Sequence, residues 1–132
     1  MQLSKVAISI ICIFCLPLMG CSPKKQINAV NIEFEETVPY CQGEEDCKEK
    51  WDASQAWVAS NCKMKIQTLS DTIIETYNTT GNSKNLACRV NKVPQGNDKY
   101  KIEITTWCNN PVGCFPDAWE AAINFNDYVN RF

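Results

Sequence analysis

Leu86-Ala-Cys-Arg-Val-Asn-Lys-Val-Pro-Gln-Gly-Asn-Asp-Lys-Tyr-Lys-Ile-Glu-Ile-Thr-Thr-Trp107 is the stretch from which the fold is read. Leu86, Cys88 and Val90 recur at every second position, as do Tyr100, Ile102, Ile104 and Thr106. Lys101, Glu103 and Thr105 fill the alternate places. A period of two places one set of side chains on each face of a strand. Pro94-Gln-Gly-Asn-Asp98 between the two runs carries the residues a tight turn needs. The stretch predicts a β-hairpin with strands over 86–93 and 100–107, one face apolar and the other wet.

Outward from the hairpin, the chain supplies further strands and two helices. Lys63–Leu69 and Thr72–Tyr77 read as two strands joined at Ser70-Asp71, the second rich in β-branched residues. Gly43 to Asn61 reads as a helix with Glu44, Glu45 and Asp46 in its first turn, where carboxylates complement the helix dipole. Trp51, Ser54, Val58 and Cys62 share one face, and Ala53, Ala56, Trp57 and Ser60 widen it. A second helix opens at Pro116-Asp117, with Trp119, Ala122, Ile123 and Asn126 on one stripe. A sheet with one apolar face needs cover, and two amphipathic helices supply it. The expected fold is α+β: a two-layer sandwich with an antiparallel sheet of three to five strands and both helices on one face, stapled by disulfides.

The first 39 residues have a different character. Lys5 is the sole charge before Val6–Leu18, an apolar run shorter than the roughly 20 residues of a membrane span. The run ends in Leu18-Met19-Gly20-Cys21, which resembles the lipobox of bacterial lipoproteins. That resemblance implies removal of residues 1–20 as a signal peptide and lipid attachment at Cys21. Two or three acyl chains anchor a protein stably. Ser22, where an Asp would favour the inner membrane, implies sorting to the outer membrane. The expected address is therefore the outer membrane, lipid-anchored, on its periplasmic face. Residues 21–39 then form a lipidated N-terminus and tether. Within it, the alternation from Val30 to Glu35 predicts a strand over 30–35. Residues 40–132 form the single globular domain.

Removing residues 1–20 from the 132 leaves 112, enough for one domain with its own core. Removing Lys5 from the 13 basic residues leaves 12 against 15 acidic, a formal charge of −3. Nothing here favours nucleic acid as a partner. The chain has no histidine. That excludes Ser-His-Asp and Cys-His catalysis and histidine-ligated zinc. Glu33, Glu35 and Glu36, and then Glu44, Glu45 and Asp46, leave a carboxylate-only hydrolase as a minor alternative.

Of nine cysteines, Cys12 and Cys15 fall in the signal and Cys21 takes the lipid, leaving Cys41, Cys47, Cys62, Cys88, Cys108 and Cys114. An even number suits disulfides in an oxidising compartment, although six cysteines allow 15 pairings. The spacings do not match a zinc knuckle, so no metal and no cofactor is expected. The two x5 pairs, Cys41–Cys47 and Cys108–Cys114, would each close a short loop before a helix. Cys62–Cys88 would then join helix to sheet. Tyr40, Trp107 and Phe115 flank the cysteine loops and form a candidate partner patch.

Trp51…Ala56-Trp57-Val58…Ile74-Glu75-Thr76-Tyr77-Asn78, with Trp107-Cys108-Asn109…Pro116-Asp117-Ala118-Trp119, resembles a group of uncharacterised small exported bacterial proteins. The resemblance covers most of 40–130 and favours treating Cys62 and Cys88 as a separate pair. It carries no activity to transfer. The functional expectation is a non-enzymatic protein-binding module: an envelope accessory factor, a hydrolase inhibitor or an immunity-type protein. The alternative is a structural or assembly lipoprotein of an envelope complex.

Overall fold

The computed structural model describes residues 31–132. The expected lipobox with its Cys21, the expected signal segment 1–20 and the expected tether up to residue 30 lie outside the described residues. In chain order the elements are α1 (31–37), β1 (Tyr40–Gln42), α2 (Gly43–Asn61), β2 (Ile66–Leu69), β3 (Ile73–Thr76), β4 (Ala87–Gly96), β5 (Lys99–Trp107) and α3 (Ala118–Val129). The strands form one antiparallel sheet in the order β1-β5-β4-β3-β2. This is the α+β architecture expected from the hairpin and its flanks.

The hairpin forms the middle of the sheet. Val90 lies opposite Ile104 on β5 and Ile74 on β3, and all three are buried. On the reverse face, Arg89 lies opposite Thr105 and Glu75, and its guanidinium pairs with the Glu75 carboxylate. The apolar face is therefore continuous across three strands, while the other stays in water. The turn is tighter than Pro94–Asp98. Pro94 still pairs with Tyr100 and Gly96 with Lys99, Gln95 bulges out, and only Asn97 and Asp98 form the loop. Both loop residues have positive φ, 51° and 56°. Asn and Asp tolerate that region, and such a turn matches the twist of a hairpin.

α2 runs over the span read from the sequence. Gln42 donates its backbone N–H to Asp46 Oδ2 at 2.6 Å, and Gly43 takes φ +78°, so the chain passes from β1 into α2 without a linker. Trp51, Ser54, Trp57, Val58 and Cys62 are buried. Both α2 indoles are satisfied: Trp57 Nε1 donates to Asn124 Oδ1 at 2.9 Å and Trp51 Nε1 to the Ser70 carbonyl at 3.0 Å. Ala56 and Ser60, expected on this face, are exposed. The buried sector points at the sheet on one side and at α3 on the other, and those two residues fall outside it.

α3 begins at Ala118, with Asp117 as N-cap accepting the backbone N–H groups of Trp119 and Glu120. Pro116 therefore precedes the helix rather than opening its first turn. Ala121, Ala122, Phe125, Asn126 and Val129 are buried. Phe125 meets Trp57 edge to face at 5.3 Å, which locks the two helices over the core. Trp119 stays half-exposed and meets Phe34 of α1 edge-on at 5.8 Å.

The strand expected over 30–35 is not formed. Residues 31–37 are helical, and the strand beside β5 is Tyr40–Gln42 instead. β1 pairs with Lys99–Lys101, and Ile102 donates its N–H to the Pro39 carbonyl at 2.8 Å. The last carbonyls of α1 find their donors in α3. Asn126 Nδ2 donates to the Phe34 carbonyl and to Thr37 Oγ1, both at 3.2 Å, and Asn130 Nδ2 donates to the Thr37 carbonyl at 2.7 Å. Orphan carbonyls at a helix end need such partners. Two asparagines remote in sequence supply them here.

Candidate functional site

All three expected disulfides form. Cys41–Cys47 ties β1 to the start of α2, Cys62–Cys88 ties the end of α2 to β4, and Cys108–Cys114 closes the loop between β5 and α3. Their Cα separations of 4.8, 6.1 and 5.6 Å lie within the range a disulfide spans. Cys41, Cys47, Cys62 and Cys88 are buried in the core.

The Cys108–Cys114 loop lies against the loop between β3 and β4, and polar bonds join the two. Asn109 Nδ2 donates to the Gly81 carbonyl at 2.7 Å, and Asn110 Nδ2 to the Asn82 carbonyl at 2.6 Å. Phe115 donates its N–H to the Lys84 carbonyl at 2.9 Å. Trp107 Nε1 donates to Asn78 Oδ1 at 3.0 Å. Asn110 Oδ1 also accepts from the Val112 N–H at 3.0 Å within its own loop. A covalent bridge and four cross-loop bonds thus hold the pair as one apex at one end of the sheet.

Among exposed Asn78, Asn82, Lys84 and Asn109, the apex presents three large apolar side chains. Val112 is 83 % exposed, Phe115 79 % and Tyr77 55 %. Tyr77–Ser83 and Trp107–Pro116, seventeen residues in all, contain no Asp, Glu, Lys or Arg. The whole chain is 21 % charged, a rate at which seventeen residues would carry three or four charges. Depletion of charge with retention of aromatics is the composition of an interface core.

Of the sequence-predicted patch, Trp107 and Phe115 flank one bridge and belong to this apex. Tyr40 does not. It lies opposite Lys101, six residues back along β5 from Trp107, a distance of about 20 Å at strand rise. There the Lys99 ammonium stands over its ring at 4.6 Å, and Lys50 Nζ donates to its carbonyl. Proximity to a cysteine was a poor guide for Tyr40, because its cysteine pair sits at the other end of the hairpin. Val112 and Tyr77 were missed. The uncharged runs on both loops were the signal that would have found them.

The two acidic clusters remain separate, one on α1 and one in the first turn of α2. Glu35 reaches to 3.8 Å from Lys101, which also pairs with Glu103. The Glu103 hydrogen bond is the main cause holding the Lys101 ammonium above its ordinary pKa, against partial burial. Asp46 accepts the Gln42 N–H and pairs with Lys50 at 3.0 Å. Burial alone would raise its carboxyl, but the Gln42 and Lys50 hydrogen bonds outweigh it and hold the carboxyl below its usual value. Asp46 is thus committed to the start of the helix rather than to chemistry.

No family model, curated protein or solved structure matches the chain. The apex contains no nucleophile paired with a base, and its bridged cysteines are not free thiols. It carries three large exposed apolar side chains on two loops tied by a disulfide and by hydrogen bonds. Among the described residues, no helix is long and apolar enough to cross a membrane.

Proposed function

We propose that this chain is a lipoprotein, anchored through Cys21 at the periplasmic face of the outer membrane, that works as a non-enzymatic protein-binding module. Its binding surface is the apex of the two coupled loops. The observation that carries this reading is the pairing of exposed Val112 and Phe115 with seventeen charge-free residues on a loop pair already held in place. Ordering a flexible loop on binding costs free energy, and a pre-ordered loop avoids most of that cost. Large exposed apolar side chains on such a loop are candidate hot spots.

Affinity capture with a C-terminally tagged chain from gently solubilised envelopes tests the surface. The native chain is expected to retain one stoichiometric partner. Phe115→Asp should lose it with all three disulfides intact, since a hot-spot residue contributes about 2 kcal/mol or more. Equal recovery by both forms would remove the apex as the binding surface. A constitutive complex would mark an assembly factor, and a hydrolase partner an inhibitor. For the anchor, Cys21→Ser should leave the protein soluble in the periplasm. If that variant still partitions wholly with membranes, the lipid assignment fails.

A further inference from the structure

A cleft of about 690 Å³ opens away from the apex, between the N-terminal half of α2 and the tip of the β4–β5 hairpin. That volume lies within the range of small-ligand sites. Its walls include Trp51 on α2 and Tyr100 on β5. Lys92 rises between them from β4, its ammonium 5.1 Å from the Trp51 ring centroid and 5.5 Å from that of Tyr100. Two aromatic faces hold the lysine upright in a half-buried position. Among the described residues, which include every Asp and Glu of the chain, no carboxylate lies within 4 Å of that ammonium. Its three donors therefore have no anionic partner.

Lys48 and Asp52 of α2 also line the cleft and pair with each other, and the remaining charged groups beside Lys92 are negative. Glu44 from α2, Asp71 from the β2–β3 turn and Asp98 from the hairpin turn line it. None of the three pairs with a Lys or Arg among the described residues. The arrangement is one unpaired cation on an aromatic pedestal surrounded by three unpaired carboxylates on three separate elements. A single anion would be attracted by the lysine and repelled by the carboxylates. A single cation would meet the reverse. A ligand with an anionic end and a cationic group behind it satisfies both, because charge-assisted hydrogen bonds form at each end.

We propose that this cleft binds a short peptide with a free carboxylate end and an ammonium-bearing residue next to it. The carboxylate meets Lys92, the peptide backbone passes beside Tyr100, and the ammonium is taken by Glu44, Asp71 and Asp98. The site is independent of the apex: it shares no residue with it and needs no protein partner.

Calorimetric titration of the mature chain carrying Cys21→Ser, with its disulfides intact, tests this with defined probes. The tripeptide Ala-Lys-Ala with a free carboxylate should bind with Kd at or below about 1 mM. Its C-terminal amide should bind at least about tenfold more weakly, since the amide removes one charge-assisted bond. Lys92→Met keeps an apolar stem between the rings, so it should abolish the difference between acid and amide. Asp71→Asn with Asp98→Asn should weaken Ala-Lys-Ala and leave Ala-Ala-Ala unchanged. Equal binding of acid and amide by the unmutated chain would overturn the proposal. So would binding of the neutral disaccharide cellobiose alone, or no heat from Ala-Lys-Ala up to about 10 mM. The acid and amide comparison needs no variant, so a misfolded Lys92→Met would not shield the idea.

Discussion

The β4–β5 hairpin in the middle of the sheet and α1 near β5 are held by different means. The hairpin is secured by its own ladder and by a continuous buried face in which Val90 and Ile102 are fully excluded from water. α1 is a helix of 7 residues with Ile32 more than half exposed, well below the length at which a helix holds itself in water. It persists through what surrounds it: Phe34 against Trp119, Glu35 near Lys101, and the side chains of Asn126 and Asn130 on its final carbonyls. The hairpin carries its stabilisation in its own sequence. α1 borrows most of it from α3, some ninety residues later. A segment held by a few remote polar bonds should open locally well before the core does.

Four measurements sharpen or break this contrast, the largest effect first. The Cys62–Cys88 bridge joins α2 to the hairpin across a separation of 26 residues. Its loop length corresponds to about 3–4 kcal/mol in the loop-entropy model. Cys62→Ala with Cys88→Ala should lower the urea stability by about that amount; a loss under about 1 kcal/mol would mean the core alone supports the hairpin. Ile102→Ala should cost about 2–4 kcal/mol through the cavity it leaves, while Ile32→Ala should cost less than about 0.5 kcal/mol. Equal costs would erase the distinction between the two regions.

Asn126→Ala removes the donor to Phe34 and Thr37 at a fully buried position, for about 1–3 kcal/mol. Its signature should be spatial. Amide exchange over 31–37 should accelerate while that of β4 and β5 stays slow, and α1 amides that remained slow would show that some other contact holds the helix. The smallest effect concerns Asp46 at the start of α2. Its carboxyl titrates below its usual value, so folding gains from its charge above the unfolded pKa and loses that gain as pH falls through the lower folded value. Stability should therefore decline slightly more steeply below about pH 4 in the native chain than in Asp46→Asn. Parallel curves would show that the Gln42 and Lys50 bonds carry no net energy.

The same contrast explains which elements could be read in advance. Eight residues of strict alternation on β5, matched by a second run across a turn, leave little room for another period. In Ile32-Glu33-Phe34-Glu35 the alternation is short. Phe34, Thr37 and Val38 also fit the spacing of one helix face, so the segment satisfies both periods. What separates them is competition for one edge. β5 accepts Tyr40–Gln42, where Cys41 can bury its bridge to Cys47, and that choice leaves 31–37 to pack against α3. The apex divides in the same way. Trp107 and Phe115 were readable because they adjoin one short bridge, whereas Val112 and Tyr77 join them only through bonds between loops some thirty residues apart.

Sequence alone determined the hairpin, the two long helices, the even count of six cysteines after residue 21 and the lack of histidine, because each depends on residues near one another or on composition. Tertiary structure decided the helix over 31–37, the β1 edge strand, the exclusion of Tyr40 from the apex, and the meeting of Lys92 with Trp51 and Tyr100. Each of those depends on which distant group arrives first at a shared edge or cleft. Local periodicity carries no information about that competition, because its outcome is set by burial and hydrogen bonding between elements far apart in the chain.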